Sequence, residues 1–246
     1  MILLVGFVWL LMPSLGQPPE AHHSANSKHN LKLIGLALHN YLATNGAFPS
    51  QAIRSADGRP LLSWRVAILP YFETSSESSL YRQFHLNEPW DSEHNRALIT
   101  KLPEVFRFPG KPNMGETRYL AVVGPNTAFG QDHGATTQEI SDGLSNTIMT
   151  VEADYTIPWT QPEDLDFDPE HSMLGLGHAH HRGSNALIAD GSARFILNSI
   201  DKDILRGLMT INGGEDVALP QQRLISSEQS ITPRPFHGIH PKTPNP

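Results

Sequence analysis

The chain has 246 residues, of which 39% are hydrophobic and 17% charged, with a formal net charge of −7 and no cysteine. The lack of cysteine excludes disulfides, thiol catalysis and cysteine-ligated zinc, and an acidic balance without a basic block argues against nucleic acid as a partner. The length suits one large domain, which we predict for residues 28–219.

The chain opens with an apolar segment, residues 1–16, in which Met1 to Leu15 carry no charged side chain. A bilayer-spanning helix needs about 20 apolar residues, so this segment alone is short for a span. It fits the apolar region of a secretory signal peptide cleaved after Gly16. A partial membrane anchor and a buried helix are the alternatives. We expect an exported protein, either membrane-anchored or located in the periplasm or at the cell surface.

A linker is expected over residues 17–27, followed by an amphipathic helix from about Lys28 to Asn45. Asn45-Gly46 is typical of a helix end. Gly35 lies within the apolar face and would allow close approach to a sheet. The face consists of Leu31, Ile34, Gly35, Leu38, Tyr41 and Leu42.

Downstream segments predict short helices and strands. Helices are expected from Ser63 to Leu69, from Asp91 to Thr100 and from Asp201 to Thr210, and strands over residues 119–123, 147–151, 185–189 and 193–197. Residues 220–246 show no periodicity, and we expect a mobile tail. The predicted fold class is α+β, with the N-terminal helix packed on an antiparallel β-sheet and long loops between elements.

Nine residues separate His180 from Asp190-Gly191, and two short apolar runs flank the Asp-Gly pair. This pattern predicts a two-residue hairpin turn in which Asp190 and Gly191 both adopt positive φ. We interpret His180 as structural, bonding backbone groups at the hairpin. Asp142-Gly143 is predicted to form a second turn, with the Asp142 side chain bonding turn amides.

A metal site is the main alternative for the histidines, because imidazole and carboxylate groups bind zinc. The candidate ligands lie in the loop from His171 to His181 or at the hairpin, and are His178, His180, His181 and Asp190. The alternating acidic residues Asp164, Asp166, Asp168 and Glu170 could bind calcium, but we interpret them as a solvated loop. Neither catalytic residues nor a cofactor are predicted.

Several segments resemble, in order, those of a bacterial family named for its H-x₉-D-G signature. They include the helix residues 30–41, the segment Leu62–Tyr71, the segment Asn87–Ser92, the strand Tyr119–Pro125 and the turn Ser141–Thr147. The family is described as prepilin-type-processing-associated and is also catalogued as solute-binding. The resemblance implies a pilin-like or pseudopilin-like design. Ser27 and Phe108 stand where family members often carry cysteine.

Three functions follow as hypotheses. The first is a non-enzymatic, exported structural or assembly protein, with like subunits or proteins of a pilus or secretion assembly as partners and its N-terminus at a membrane. The second is an extracytoplasmic solute-binding module. The third is a metal-binding protein or an enzyme that uses the loop from His171 to His181.

Overall fold

The computed structural model describes residues 20–109, 114–130, 132–168, 179–180 and 182–214. The helices are α1 (Glu20–Asn45), α2 (Trp64–Ala67), α3 (Ser75–Tyr81), α4 (Glu93–Arg96) and α5 (Lys202–Gly207). The strands are β1 (Ala52–Arg54), β2 (Pro60–Ser63), β3 (Glu116–Val123), β4 (Ile148–Pro158), β5 (Leu165–Asp166), β6 (Gly183–Ile188) and β7 (Ala193–Leu197). The predicted α+β class is therefore confirmed.

The main sheet has five strands in the order β5-β3-β4-β6-β7. The pairs β3–β4, β4–β6 and β6–β7 are antiparallel, as predicted, whereas the two-residue strand β5 pairs with β3 in parallel. A separate antiparallel pair, β1–β2, encloses the turn at Asp57-Gly58. Strand β4 is the central strand, and both β4 and its neighbour β6 contribute mostly buried residues.

Helix α1 packs against one face of this sheet, chiefly over β6. The predicted apolar face is confirmed, because Leu31, Ile34 and Leu38 are fully buried. The helix begins at Glu20, so the linker predicted over residues 17–27 is wrong from residue 20 onward. Proline is tolerated just before a helix, and hydrogen bonds from Ser24 and Ser27 hold the additional turns on the sheet.

The opposite face of the sheet is covered by α5. Asp201 caps this helix by accepting hydrogen bonds from the amides of Asp203 and Ile204, as expected for an N-cap aspartate. The sheet thus has an apolar core on both sides. The core under α5 contains Leu120, Val122, Ile148, Ala186, Ile188, Leu205, Leu208 and Met209.

The hairpin β6–β7 confirms the predicted pairing across the Asp-Gly bend, with Leu187 opposite Ala193. The turn itself differs from the prediction, because Gly191 has a φ of 82° whereas Asp190 is not among the described residues with positive φ. The loop has three residues, Ala189 to Gly191, and the Ile188 amide donates to the Ser192 carbonyl. A loop of this length needs only one left-handed residue, so the two-residue turn was wrong.

Strand β4 extends well beyond the predicted residues 147–151 and ends at Pro158. The apolar run ends at Val151, which explains the short prediction. Pairing with β3 continues the strand, because Thr117 lies opposite Ile157 and Glu116 opposite Pro158.

None of the helices in the described part of the chain has both the length and the apolar character needed to cross a membrane. The apolar residues 1–16 and the tail 220–246 lie outside the described residues.

Gly35 brings α1 into close contact with the hairpin, as its position in the apolar face predicted. A Cβ atom at this position would lie 2.8 Å from Leu187 Cδ1 and 3.2 Å from both Cα and the carbonyl oxygen of Gly191. We expect Gly35→Ala to lower the free energy of unfolding by about 1–3 kcal/mol, because overpacking outweighs the helix propensity that alanine adds. Thermal unfolding measures this, with Asn26→Ala on the exposed side of α1 as control. An unchanged or higher melting temperature would contradict the close contact.

Candidate functional site

A cluster of polar side chains lies between the N-terminal half of α1 and the sheet. The rest of the helix contact is mostly apolar, apart from a hydrogen bond between His39 and the Ala189 carbonyl. We call this cluster the polar seam. It consists of Ser24, Ser27, Asn30, Tyr119, Glu152, His180 and Asn185. It contains the signature histidine, and we therefore regard it as the candidate functional site.

His180 lies just before β6, with a side chain that is 4% exposed. Its backbone forms a bridge with Gly183, whose Cβ would collide with the Ile196 carbonyl, so a glycine is required there. The ring Nε2 lies 3.0 Å from Glu152 Oε2 and donates to that carboxylate. The predicted structural His180 is thus bonded to a carboxylate through its side chain, and only its backbone bonds a backbone group.

Glu152 is the centre of the polar seam and is fully buried. Its Oε2 also accepts a hydrogen bond of 2.7 Å from the backbone amide of Asn185, which lies on the neighbouring strand β6. Its Oε1 has no hydrogen-bond partner among the described residues. A buried carboxylate is stable only where donors surround it, so Glu152 depends on His180 and Asn185.

Helix α1 joins the polar seam through three small polar residues. The side-chain Nδ2 of Asn185 donates to Ser24 Oγ over 3.2 Å. Ser27 Oγ lies 2.8 Å from the Tyr119 hydroxyl. Asn30 donates to the carbonyl of Arg107 and to the same hydroxyl. Burial, followed by the charge of Glu152, raises the pKa of Tyr119, which therefore stays neutral.

The arrangement is suited to holding α1 on the sheet rather than to acting on a ligand in solvent. His180 is enclosed by the rings of Phe108 and Phe195, at centroid distances of 5.8 and 6.1 Å. Phe108 thus packs where the resemblance places a cysteine in relatives. A general acid or base needs access to a substrate proton, and neither His180 nor Glu152 is exposed enough to offer it.

Of the four candidate metal ligands, the structure describes His180 and Asp190, and it does not bring these two together. His180 and Asp190 lie at opposite ends of β6, which at about 3.3 Å per residue separates them by roughly 20 Å. Among the described residues, no group of three or more histidine and acidic side chains is placed to hold a metal ion. His171, His178 and His181 lie outside the described residues.

The turn at Asp142-Gly143 is present, with Gly143 at a φ of 95°. The Asp142 carboxylate was predicted to bond the amides of its own turn, but its hydrogen-bond partners lie elsewhere. It accepts hydrogen bonds from the backbone amides of Gly213 and Gly214, at 2.7 and 3.1 Å, and so fastens the segment after α5 to the turn that precedes β4. Within the turn, the Asn146 side chain donates to the Asp142 carbonyl.

We expect Asp142→Ala to release the segment after α5, because two hydrogen bonds to a charged acceptor are lost. Hydrogen exchange measured by mass spectrometry should rise for residues 211–214, with a loss of about 1–2 kcal/mol in the free energy of unfolding. Ser145→Ala in the same turn is exposed and serves as the control. Equal exchange in both variants would contradict the fastening role.

The acidic run beginning at Asp164 is not a wholly solvated loop, which corrects the prediction. Asp164 is buried, and its Oδ1 accepts hydrogen bonds from Trp64 Nε1, Arg65 Nη2 and the Ala121 amide. Burial raises the pKa of Asp164 to about 6, while Arg65 and these hydrogen bonds act in the opposite direction. Asp166 and Asp168 are exposed as predicted, and Glu170 lies outside the described residues.

Comparison with known proteins adds one finding. Residues 20–119 match the model of a family described as a protein of unknown function, DUF1559. The match confirms the family resemblance. It covers α1 to the middle of β3 and thus ends before His180, so the signature spacing lies outside it. No curated protein and no solved structure matches the chain.

The sequence pointed to His180 but not to its partners. Glu152 is the first of two carboxylates in β4, followed by Asp154, and it comes directly after the apolar run that starts the strand. A charge at such a position is a signal of a buried pair. Ser24 and Ser27 fell in the predicted linker. Asn185 and Tyr119 carry no local signal, because only the strand order places them beneath α1.

Proposed function

We propose that the protein is a non-enzymatic, exported structural or assembly protein of pilin-like or pseudopilin-like design, held at a membrane through its N-terminus. The observation that supports this most is the placement of α1. The helix has 26 residues, about 39 Å, and its buried face and polar seam contact the sheet from Ser24 to beyond Leu38. The apolar residues 1–16 precede it by three residues in sequence.

Burial of the histidine signature supports a role in architecture. Glu152 on β4 bonds His180 and the backbone of Asn185, and the Asn185 side chain bonds Ser24, so the buried pair is linked to the helix through Asn185. The proposal requires neither a metal nor a cofactor. Like subunits or assembly proteins are the proposed partners, and nucleic acid is not.

Cell fractionation tests the location. The full chain, expressed in a bacterial host, should appear in the membrane or periplasmic fraction. Carbonate washing of the membrane fraction distinguishes an anchored chain, which stays in the membrane, from a peripherally bound chain, which is released. Recovery in the cytosolic fraction would contradict the proposal.

The second candidate is a solute-binding module, which one surface feature favours. An open cleft of about 450 Å³ lies beside the buried ion pair of Asp164 and is of a size that suits small ligands. Its polar lining is acidic and includes Glu163, Asp166 and the half-exposed Tyr155. A small organic cation is the class of solute that this lining would attract.

Thermal shift with putrescine, arginine, Ca²⁺ and Zn²⁺ separates the two candidates. A ligand present at 100 times its Kd stabilises the folded protein by about 2.7 kcal/mol. A shift that Asp166→Asn removes, and that Asp203→Asn on α5 does not, would assign solute binding to the cleft. No shift with any of the four leaves the structural role as the better account.

A further inference from the structure

The outward side of α1 carries leucine and lysine side by side. Leu33 and Leu36 are 38% and 44% exposed, whereas the leucines of the inward side, Leu31 and Leu38, are fully buried. Lys32, which is exposed, directly precedes Leu33 and lies one turn before Leu36, and the half-buried Lys28 lies one turn earlier. We call Lys28, His29, Lys32, Leu33 and Leu36 the basic-apolar face.

The basic-apolar face is positive in an otherwise acidic protein. The formal net charge is −7, yet Glu20 is the single carboxylate within residues 1–45. Lys28 is close enough to Lys32 and to Arg194 on β7 for their charges to lower its pKa, after the larger effect of burial and against the opposing charge of Glu152. An anion approaching this side of the helix therefore meets an attractive potential.

The chain places this face near the apolar N-terminus. Four residues separate Leu15 from the start of α1 at Glu20, and five extended steps reach at most about 18 Å. Lys28 follows after two further helical turns. If residues 1–15 enter a bilayer, as the proposed function requires, the lysines come within reach of the headgroups of the same bilayer.

We propose that the basic-apolar face of α1 binds an anionic phospholipid surface, with the lysines on the phosphates and the leucines at the boundary of the acyl chains. This inference rests on the proposed membrane attachment. It adds a preference for lipid charge that an apolar anchor alone does not have. A second copy of the chain is a poorer occupant of this face. Each partner in a stable interface buries roughly 800 Å² of surface, and the surface of two partly exposed leucines is far smaller than that.

Vesicle co-sedimentation of the full chain tests the face. Vesicles of phosphatidylcholine alone measure attachment by the apolar segment, and vesicles that also contain phosphatidylglycerol measure the preference for negative charge. Each lysine near an anionic surface contributes about fivefold to partitioning, so Lys28→Gln with Lys32→Gln should lower binding to the anionic vesicles by about 25-fold. Binding to phosphatidylcholine should stay the same.

Matched controls make the result specific. Lys101→Gln with Arg206→Gln removes two charges elsewhere on the surface and should change neither partition coefficient. Leu33→Gln with Leu36→Gln should weaken anionic binding, whereas Leu197→Gln on β7, at a comparable 41% exposure, should not. Circular dichroism of each variant establishes that the fold is retained.

The possible outcomes separate this inference from the proposed function. Equal binding of the wild-type chain to both vesicle types would overturn the inference and leave membrane attachment intact, while binding to neither would count against both. If Lys28→Gln disturbs the fold, salt decides, because at 1 M the Debye length falls to about 3 Å and the preference should vanish. A dimer that the face variants abolish, without any lipid preference, would assign the face to a second copy.

Discussion

Asp164→Ala should lower the free energy of unfolding by about 3–5 kcal/mol, the largest loss that we expect from a single substitution in this chain. The reason is the partner that it leaves behind. Arg65 has a fully buried side chain whose Nη2 lies 2.5 Å from Asp164 Oδ1, with further bonds to Ser63 Oγ and the Tyr119 carbonyl. Without the carboxylate, a buried guanidinium would lack its counter-charge. Urea unfolding followed by circular dichroism measures the loss.

Asp166→Ala is the matched control, since Asp166 lies two residues further along the chain, on β5, and is exposed. It should unfold at nearly the wild-type urea concentration. The double variant Arg65→Met with Asp164→Leu should recover much of the lost stability, because it replaces both charges by apolar side chains. An Asp164→Ala protein as stable as the Asp166→Ala protein would show that the pair does not stabilise the fold.

Patterns that are local in sequence predicted most of the fold. The apolar face of α1 follows a helical period, and the hairpin β6–β7 has apolar runs on both sides of an Asp-Gly pair. Both appear in the structure, because the spacing of the apolar residues determines which side chains are buried and the Asp-Gly pair determines where the chain turns. The turn was one residue longer than predicted, since an Asp-Gly pair fits either loop length when glycine alone takes the positive φ.

Features that depend on strand order could not be read in this way. Strand β5 has two residues and is held by its pairing with β3, so it has too little sequence to show a pattern. Asp164 lies just before it in a run of alternating acids that is typical of a solvated loop. Its burial follows from contact with Arg65, which is 99 residues away along the chain. No local rule distinguishes Asp164 from Asp166.

The same reasoning applies to the polar seam. His180 was singled out by its spacing from Asp190-Gly191, and a structural role was the preferred interpretation. Its partner Glu152 is 28 residues away and was not anticipated. The pairing of β4 with β6 places Val151 opposite Ala186 and so brings Glu152 to Asn185. The bridge between His180 and Gly183 then folds the histidine back to the same carboxylate. The spacing thus reflects the length of one strand and its turn, with the histidine fixed at the far end.

Glu152→Ala should be the second most damaging substitution, with a loss of about 2–4 kcal/mol in the free energy of unfolding. It would leave the Nε2–H of His180 and the amide of Asn185 buried without an acceptor, in addition to the volume lost. Glu152→Gln keeps the volume and one acceptor oxygen, so its loss should be smaller. Because Asn185 also holds Ser24, hydrogen exchange should rise first at residues 20–30 of α1.

Two comparisons decide whether this effect belongs to the polar seam. Glu73→Ala removes an exposed carboxylate and should leave both stability and exchange in α1 unchanged. His180→Ala should also produce faster exchange at the start of α1, since it removes the hydrogen bond between His180 and Glu152 by removing the histidine. A His180→Ala protein with normal exchange and stability that has lost the ability to bind Zn²⁺ would instead make the histidine a metal ligand. The pair with Glu152 would then not be what holds the helix to the sheet.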